Sequence, residues 1–549
     1  MKSIQLTLVR LLTLIAAVNG SKFISEPFDS REATIETIHN ALYSGIATCR
    51  DVVSSFISRI EAYNPTVNAI LSLNPNALKI ADEMDQKLAS GNATGPLFCI
   101  PILLKDNYDT SEMNTTGGCL DFAGNQPKMD APTVAAFKAA GGIILGKTNL
   151  HELALEGLSV SSLGGQTINP YDHTRTPGGS SGGTGVAIAS SFAVFGTGTD
   201  TVNSLRSPAS ANNLLSFRPT RGLISRAGVI PISYTQDAIG LIARNVKDLA
   251  VALNVMASVG YDSSDNTTAL IPPAVHGIDY SSAIYGGSLK GVRLGLLQGF
   301  FNRTSSSETT PVNDAMDHMV SVLKAAGAIV VSINETVYNA TAIGTLDVQT
   351  SEYREGMNSY LSSSFLSGSH PTNFTDLYTS GKFLVIPSQY NYVNTALVSS
   401  TGNASYAPIK LAIQNLSTVV DTTFAANRLD AFIYPEQKNL VVKIGSPSQS
   451  GRNGILAALT GSPVVTIPAG FSPPTKDAPI GVPIGMEIMG LPWTEAKLLN
   501  IAARISDIMH VRKMPVFENQ SVVVPAYTTV PIIKPNSKNI PPKYPIGML

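Results

Sequence analysis

The chain has 549 residues, of which 44% are hydrophobic and only 14% are charged. This composition excludes a charge-rich disordered chain, because such chains contain too few apolar residues to build a core. There are 38 lysine and arginine residues and 39 acidic residues, so the formal net charge is −1. We expect no nucleic-acid partner, since proteins that bind nucleic acid usually carry an excess of basic residues. A small-molecule substrate is the better hypothesis.

The first 20 residues have the organisation of a secretory signal peptide. Lys2 and Arg10 precede or interrupt an apolar run over residues 11–18, and Gly20 follows. The run is shorter than the about 20 residues that cross a bilayer. The alternative is a buried N-terminal helix. We predict that residues 1–20 are a signal peptide, that the protein is secreted, and that no later segment spans a membrane.

Secretion would place the cysteines in an oxidising compartment. Cys49, Cys99 and Cys119 allow one disulfide, in any of three pairings. They form no CxxC or Cys/His cluster, so we expect no metal site. Ten glycosylation sequons also follow the signal peptide, which favours a glycoprotein. Their acceptor residues are Asn92, Asn114, Asn266, Asn302, Asn334, Asn339, Asn373, Asn403, Asn415 and Asn519.

Helical and strand patterns alternate along the rest of the chain, without an internal repeat, which predicts a mixed α/β fold. From residue 521 the sequence is rich in proline and weakly periodic. We therefore predict a single domain over 21–520 and a C-terminal tail over 521–549. The predicted helices lie within 30–63 (two helices), 131–140, 314–326 and 495–509, and the predicted strands cover 143–145, 292–297, 328–331, 431–434, 464–467 and 483–489.

Three short motifs suggest other functions. Residues 141–148 fit the phosphate-loop pattern, but their apolar interior predicts a strand instead of a glycine-rich loop. His151 and Glu152 lack the second histidine of a zinc-protease helix, because position 155 is Leu155. Residues 179–183 fit the G-x-S-x-G elbow around Ser181, yet a polar loop precedes them where an elbow requires a strand.

A Gly/Ser-rich segment over 176–185 has a different character from a flexible linker. It leads into an apolar, helix-like run and then into a second polar segment over 198–208. Upstream, an apolar strand over 99–104 ends at Lys105. A lysine at the end of a buried strand is desolvated, which lowers its pKa and suits it to act as a base. Either feature alone would be ordinary.

Together these segments resemble the amidase signature family. That family joins a strand-end lysine in a Pro-x-x-x-Lys-Asp context, a GGSSGG loop and a nucleophilic serine in a GTDxGGSxRxP segment. Residues 101–106, 178–183 and 198–208 match these motifs in the same order, and the resemblance extends over about 35–510. It implies an α/β/α sandwich around a large twisted mixed sheet, and hydrolysis of a small-molecule amide without a cofactor.

Carried over to this sequence, the family's catalytic triad becomes Lys105, Ser180 and Ser204. Ser204 would be the nucleophile, and a neutral Lys105 would accept its proton through Ser180. The resemblance also implies a cis peptide bond at Ser180. Further supporting residues would be Ser181, Asp200 and Arg206.

The backbone N–H groups of Thr201, Val202, Asn203 and Ser204 would form the oxyanion hole. The sequence departs from the family here, because Val202 and Asn203 replace the usual Gly-Gly pair. If position 202 required a positive φ, the β-branched valine would distort the hole. Val202 is therefore either a determinant of specificity or the mark of an inactive enzyme.

Three functions follow from these alternatives. The first is a secreted amidase, and the second is a catalytically silent binding glycoprotein with the same fold. The third is a serine esterase that uses Ser181. A transamidating protein of the glutamyl-tRNA amidotransferase type is disfavoured by the signal peptide. The oligomeric state and the identity of the amide stay open.

Overall fold

A computed structural model of the chain describes residues 28–517 and 522–541. The predicted signal peptide and the sequon at Asn519 lie outside the described residues. Fifteen α-helices occur in the described part of the chain. They are α1 (Ile35–Tyr43), α2 (Cys49–Val67), α3 (Ala77–Ala89), α4 (Pro132–Ala139), α5 (Gly182–Ala189), α6 (Arg206–Ala211), α7 (Val246–Ala257), α8 (Thr310–Ala325), α9 (Ala340–Gly344), α10 (Gln349–Leu361), α11 (Phe374–Thr379), α12 (Tyr390–Val398), α13 (Tyr406–Asn427), α14 (Ile455–Thr460) and α15 (Glu495–Met509).

The strands build one large sheet and two short ribbons. The strands are β1 (Ile70–Leu73), β2 (Ile100–Lys105), β3 (Gly124–Pro127), β4 (Gly142–Thr148), β5 (Val160–Ser161), β6 (Gly165–Gln166), β7 (Phe195–Asp200), β8 (Leu215–Arg218), β9 (Ala238–Ala243), β10 (Arg293–Leu297), β11 (Ile329–Ile333), β12 (Leu366–Ser369), β13 (Ala431–Pro435), β14 (Val464–Phe471) and β15 (Pro483–Met489).

The large sheet has eleven strands in the order β1-β4-β2-β7-β9-β8-β14-β15-β13-β10-β11. Strand β2 pairs in parallel with β4 and β7, and β10 pairs in parallel with β11 and β13. The remaining neighbours in the large sheet are antiparallel. The central strands are buried along their whole length, which explains their nearly continuous apolar sequences. This mixed sheet confirms the predicted fold class.

Several helices pack against the sheet and against one another. Helix α7 contacts both α4 and α15, and helices α5 and α6 contact each other. Helices α5 and α6 also contact the central strands, α5 on β2, β7 and β9 and α6 on β8, β14 and β15. The loops that enter these two helices therefore lie directly beside the middle of the sheet.

Most of the predicted elements are present with shifted ends. Residues 142–148 form strand β4, as the apolar interior of the phosphate-loop match predicted. Helix α15 has the predicted bounds. Helices α1 and α2 begin where the threonines Thr34 and Thr48 form capping boxes, in which each side chain accepts a hydrogen bond from the third residue of the helix.

The described part of the C-terminal tail contains only one short turn of 3-10 helix, Ser537–Asn539. The carbonyl of Tyr527 accepts a hydrogen bond from Arg50 of α2, and Asn539 Nδ2 donates to the carbonyl of Gln166 in β6 at 3.3 Å. The tail thus contacts two distant parts of the chain. None of the helices in residues 28–517 and 522–541 combines the length and apolarity needed to cross a bilayer.

Candidate active site

The predicted triad lies at one edge of the large sheet. Strands β2 and β7 are parallel neighbours, so their carboxyl ends meet at the same edge. Lys105 is the last residue of β2, and Asp200 is the last residue of β7. Ser204 lies between β7 and α6, and Ser180 lies in the loop that enters α5. The sheet topology therefore brings three distant segments of sequence together.

Lys105 has no exposed surface, and its Nζ atom donates hydrogen bonds to Ser180 Oγ and Thr199 Oγ1, both at 2.7 Å. Among the described residues, no carboxylate forms an ion pair with this ammonium group. Burial lowers the pKa of Lys105 to about 7, although the more distant charges of Asp200 and Asp237 oppose that shift. A substantial fraction of Lys105 is therefore neutral near neutral pH, as a base must be.

The loop that carries Ser180 is held tightly by backbone contacts. The peptide bond between Gly179 and Ser180 is cis, as the family resemblance implied. The backbone N–H of His151 donates to the Ser180 carbonyl at 3.0 Å. A side chain at Gly179 would collide with the carbonyl carbon of Gly157, because a Cβ atom would lie 2.9 Å from it. Glycine is therefore required at that position.

Ser204 is half-buried, and its carbonyl accepts a hydrogen bond from the backbone N–H of Ser181 at 3.2 Å. This contact places the Ser204 loop against the Ser180 loop. The Ser204 hydroxyl makes no hydrogen bond with another described residue. The structure thus contains the contact between Lys105 and Ser180, while the transfer from Ser204 to Ser180 stays a prediction.

Residues 201–204, here called the oxyanion segment, have an ordinary backbone. Neither Val202 nor Asn203 has a positive φ. Val202 therefore does not cause the backbone strain that a positive φ would impose on a β-branched residue. Thr201 is fixed on both sides, because its hydroxyl donates to Asp237 Oδ1 at 2.6 Å and its carbonyl accepts from Gln236 Nε2 at 3.3 Å.

Asn203, the second residue that replaces the family's Gly-Gly pair, forms a hydrogen bond with Glu436, which directly follows strand β13. Its Nδ2 donates to Glu436 Oε1 at 2.9 Å, and both side chains are buried. Burial, together with the nearby carboxylate of Glu487, raises the pKa of Glu436 well above its usual range. This shift favours the neutral form of Glu436, and either form accepts the hydrogen bond from Asn203.

Asp200 and Arg206 form a buried ionic cluster beneath the oxyanion segment. Arg206 donates to both carboxylate oxygens of Asp200, at 3.1 and 3.0 Å, and to Glu487 Oε2 at 2.8 Å. Arg218 donates to Asp200 Oδ1 at 2.7 Å. Burial alone would raise the pKa of Asp200, but the two guanidinium groups lower it to about 2. Arg206 also donates a hydrogen bond to the carbonyl of Val202, so the ionic cluster is bonded directly to the oxyanion segment.

Ser181, the centre of the alternative elbow motif, has no exposed surface. Its hydroxyl donates to the Thr199 carbonyl at 3.4 Å. The residues before it form a loop instead of the strand that a nucleophile elbow requires. Ser181 therefore joins the loops that carry Ser180 and Ser204, and its burial and setting do not match those of an elbow nucleophile.

Four residues that contact the site were not identified from the sequence: Thr199, Asp237, Glu436 and Glu487. Thr199 lies within a quoted motif, and its position one residue before Asp200 was the only available signal. The others lie 33 to 283 residues from Ser204, and no motif marks them. In the described part of the chain, no group of three or more His, Cys, Asp or Glu side chains could hold a metal ion.

Comparisons with known proteins agree with this geometry. The sequence matches the Amidase family over residues 51–499. It is 30% identical to the native peptide amidase of Stenotrophomonas maltophilia, whose structure superposes with a TM-score of 0.79 over 90% of this chain and 100% of that chain. It is 31% identical to a glutamyl-tRNA(Gln) amidotransferase subunit of Heliobacterium modesticaldum, over 85% of this chain and 95% of that protein. It is also 30% identical to an Arabidopsis thaliana protein named as a probable amidase, over 92% and 96% of the two chains.

The family match spans far more than half of the chain, and the relatives align over nearly their whole length. The fold, the order of the three motifs and these similarities lead to the same conclusion: the chain belongs to the amidase signature family and is an amide hydrolase.

Proposed function

We propose that the protein is a secreted serine amidase that forms an acyl-enzyme on Ser204. The observation that carries this proposal is the 2.7 Å contact between the buried Lys105 Nζ and Ser180 Oγ. A lysine that is desolvated and in contact only with hydroxyl groups loses its proton easily, so it can serve as a base at neutral pH.

In the proposed reaction, the Ser204 oxygen attacks the carbonyl carbon of the amide. The Ser204 proton passes to Ser180, while the Ser180 proton passes to the neutral Lys105 amine. The oxyanion of the tetrahedral intermediate accepts hydrogen bonds from backbone N–H groups of the oxyanion segment. As the C–N bond breaks, the proton returns through Ser180 to the leaving amine. Water then hydrolyses the ester on Ser204 by the same proton route.

The proposal is tested by covalent labelling with a fluorophosphonate probe, followed by mass spectrometry of the labelled peptide. We expect the label on Ser204 and its complete loss in Ser204→Ala. The control is Ser181→Ala, which should cost less and keep the label on Ser204. A label on Ser181 that survives in Ser204→Ala would favour the esterase function. An unlabelled, inactive wild type that is correctly folded would favour the silent binding protein.

Secretion is supported by three independent features. The N-terminal sequence has the organisation of a signal peptide. Cys49 and Cys99 are joined by a disulfide, which persists in oxidising compartments. Eight of the nine sequon asparagines in the described residues are exposed, and the ninth, Asn373, is half-buried.

Expression of the full chain in a eukaryotic secretory host tests this part of the proposal. We expect the protein in the medium, with an N-terminus near residue 21 and a mass that falls after treatment with an N-glycosidase. Retention in the cytosol with residues 1–20 attached would contradict it.

A further inference from the structure

A cavity of about 380 Å³ lies beside the proposed catalytic residues. Thr199 and Thr201 both form part of its wall. The hydroxyl of Thr199 accepts the hydrogen bond from Lys105 Nζ at 2.7 Å, and Thr201 is the first residue of the oxyanion segment. A group bound in this cavity would therefore lie one side chain away from the base and next to the reacting carbonyl.

The cavity extends from solvent to the buried end of the sheet. Tyr234 at its mouth is 46% exposed, whereas Ile239 of β9 at its floor is 2% exposed. The wall between them is formed by Val229, Ile230 and Pro231. These side chains are aliphatic, so the cavity offers an apolar surface on which a hydrocarbon group gains free energy by leaving water.

The charged side chains that line the cavity already have hydrogen-bond or ion-pair partners within the protein. The Asp237 carboxylate accepts hydrogen bonds from the Thr201 hydroxyl and from the backbone N–H groups of Ile232 and Ser233, at 2.6 to 2.9 Å. Arg226 forms a bidentate ion pair with Asp265, with both distances at 2.7 Å. Neither group is free to pair with a charge on a ligand, and an unpaired charge would lose its hydration on entry.

We propose that this cavity binds an apolar, uncharged arm of the amide substrate, such as an aryl ring or a short alkyl chain. The inference rests on the function proposed above, and it assigns the class of substrate for the same site. The cavity lies in the size range of small-molecule pockets, at the lower end of about 300–1,000 Å³. Its volume exceeds the about 150 Å³ of a cavity that holds one benzene ring, so a substituted ring or an alkyl chain fits inside it.

Two series of amides test the proposal with the full-length protein. In the first series the acyl chain of a 4-nitroanilide grows by one methylene at a time, and in the second the amine of an acetamide grows in the same way. We expect kcat/KM to rise about fourfold per methylene in one of the two series until the cavity is full. That series identifies the arm that enters the cavity. A terminal carboxylate on this arm should lower kcat/KM at least tenfold relative to the neutral substrate of equal length.

Two substitutions in the wall should move the preferred length in opposite directions. Ala227→Phe fills part of the cavity and should shift the maximum of kcat/KM to shorter arms. Val229→Ala enlarges it and should shift the maximum to longer arms. The matched control is Val255→Ala in α7, which removes the same atoms from a valine of similar burial that lies outside the cavity lining. It should leave the dependence on length unchanged.

A dependence on length that is identical in wild type, Ala227→Phe and Val229→Ala would overturn the inference, as would a preference for the charged arm. Because the comparison is made within each variant, a general loss of folded protein does not change its outcome. Failure of the proposed function has a different signature, in which Ser204→Ala hydrolyses the same amides as fast as the wild type.

Discussion

At the scale of single residues, the site contains two buried ionisable groups whose pKa values are shifted toward the neutral form. The Lys105 ammonium group contacts hydroxyl groups instead of carboxylates, so no nearby negative charge offsets the free-energy cost of burying its positive charge. Glu436 is buried beside a second carboxyl group, which disfavours its ionised form. One group would act as the base, and the other positions a side chain of the oxyanion segment.

The pH dependence of activity identifies the base. Because the pKa of Lys105 is lowered to about 7, the protonated and inactive form dominates below this pH. We expect kcat/KM to rise as the pH increases through 7 and to level off above about pH 8. Lys105→Ala should reduce kcat/KM by about 10²- to 10⁴-fold. Residual activity in this variant with the same ascending limb would show that another group is the base.

The hydrogen bond between Asn203 and Glu436 leads to a second prediction, which concerns kcat in variants of Glu436. A glutamine at position 436 can accept the same hydrogen bond and carries no charge, so Glu436→Gln should keep kcat within about threefold. Glu436→Ala leaves the buried Asn203 N–H group without a partner, at a cost of about 1–3 kcal/mol, and should lower kcat at least about fivefold. Steady-state kinetics that separate kcat from KM check this. If Glu436→Gln is as impaired as Glu436→Ala, the ionised carboxylate is the functional form.

At the scale of secondary structure elements, hydrogen bonds join helix α10 to the loop of residues 233–237 beside the site. The buried Glu352 of α10 accepts hydrogen bonds from Thr235 Oγ1 and Tyr406 OH, both at 2.5 Å, from the Thr235 backbone and from Ser233. The same loop contains Asp237, which holds Thr201 of the oxyanion segment. One carboxylate thus joins α10 and α13 to the wall of the active site.

Removal of this carboxylate should destabilise the protein. Glu352→Ala leaves four donors without an acceptor, so we expect the free energy of unfolding to fall by about 3 kcal/mol. Glu355→Ala is the control, because Glu355 lies on the same helix, is half-buried and, among the described residues, accepts hydrogen bonds only from Thr401. It should cost less than about 1 kcal/mol. Urea unfolding followed by circular dichroism measures both, and equal losses in the two variants would contradict this role for Glu352.

At the scale of the whole molecule, a covalent bond joins α2 to the start of the central sheet. The disulfide between Cys49 and Cys99 closes a loop with a sequence separation of 50 residues. Such a closure stabilises the folded state by about 4 kcal/mol, because it reduces the conformational entropy of the unfolded chain. Cys119 is a buried free thiol.

Reduction separates the contribution of this disulfide from other effects. A thiol reductant should lower the denaturant midpoint of the wild type and of Cys119→Ala. It should have no effect on the double variant Cys49→Ala/Cys99→Ala, whose midpoint should already be low. A wild-type midpoint that does not respond to complete reduction would show that the disulfide contributes little to stability.

The sequence by itself determined the α/β class and several of the strands and helices, and it predicted the triad Lys105, Ser180 and Ser204. These features depend on local patterns: apolar periodicity marks the elements, and the motifs around the three residues are short and occur in a fixed order. The division into residues 21–520 and a tail stays a prediction. The pairing of Cys49 with Cys99 was one of three possibilities, and only the tertiary structure selects it.

Only the tertiary structure decided what surrounds the triad. Glu436 is 233 residues from Asn203, and Glu487 is 281 residues from Arg206. These contacts follow from the order of strands in the sheet, which no local pattern encodes. The ordinary φ at Val202 was likewise not predictable from a local pattern, and the tertiary structure shows it together with the hydrogen bond from Arg206 to the Val202 carbonyl. Burial, which lowers the pKa of Lys105, also arises from elements that the chain brings together only when it folds.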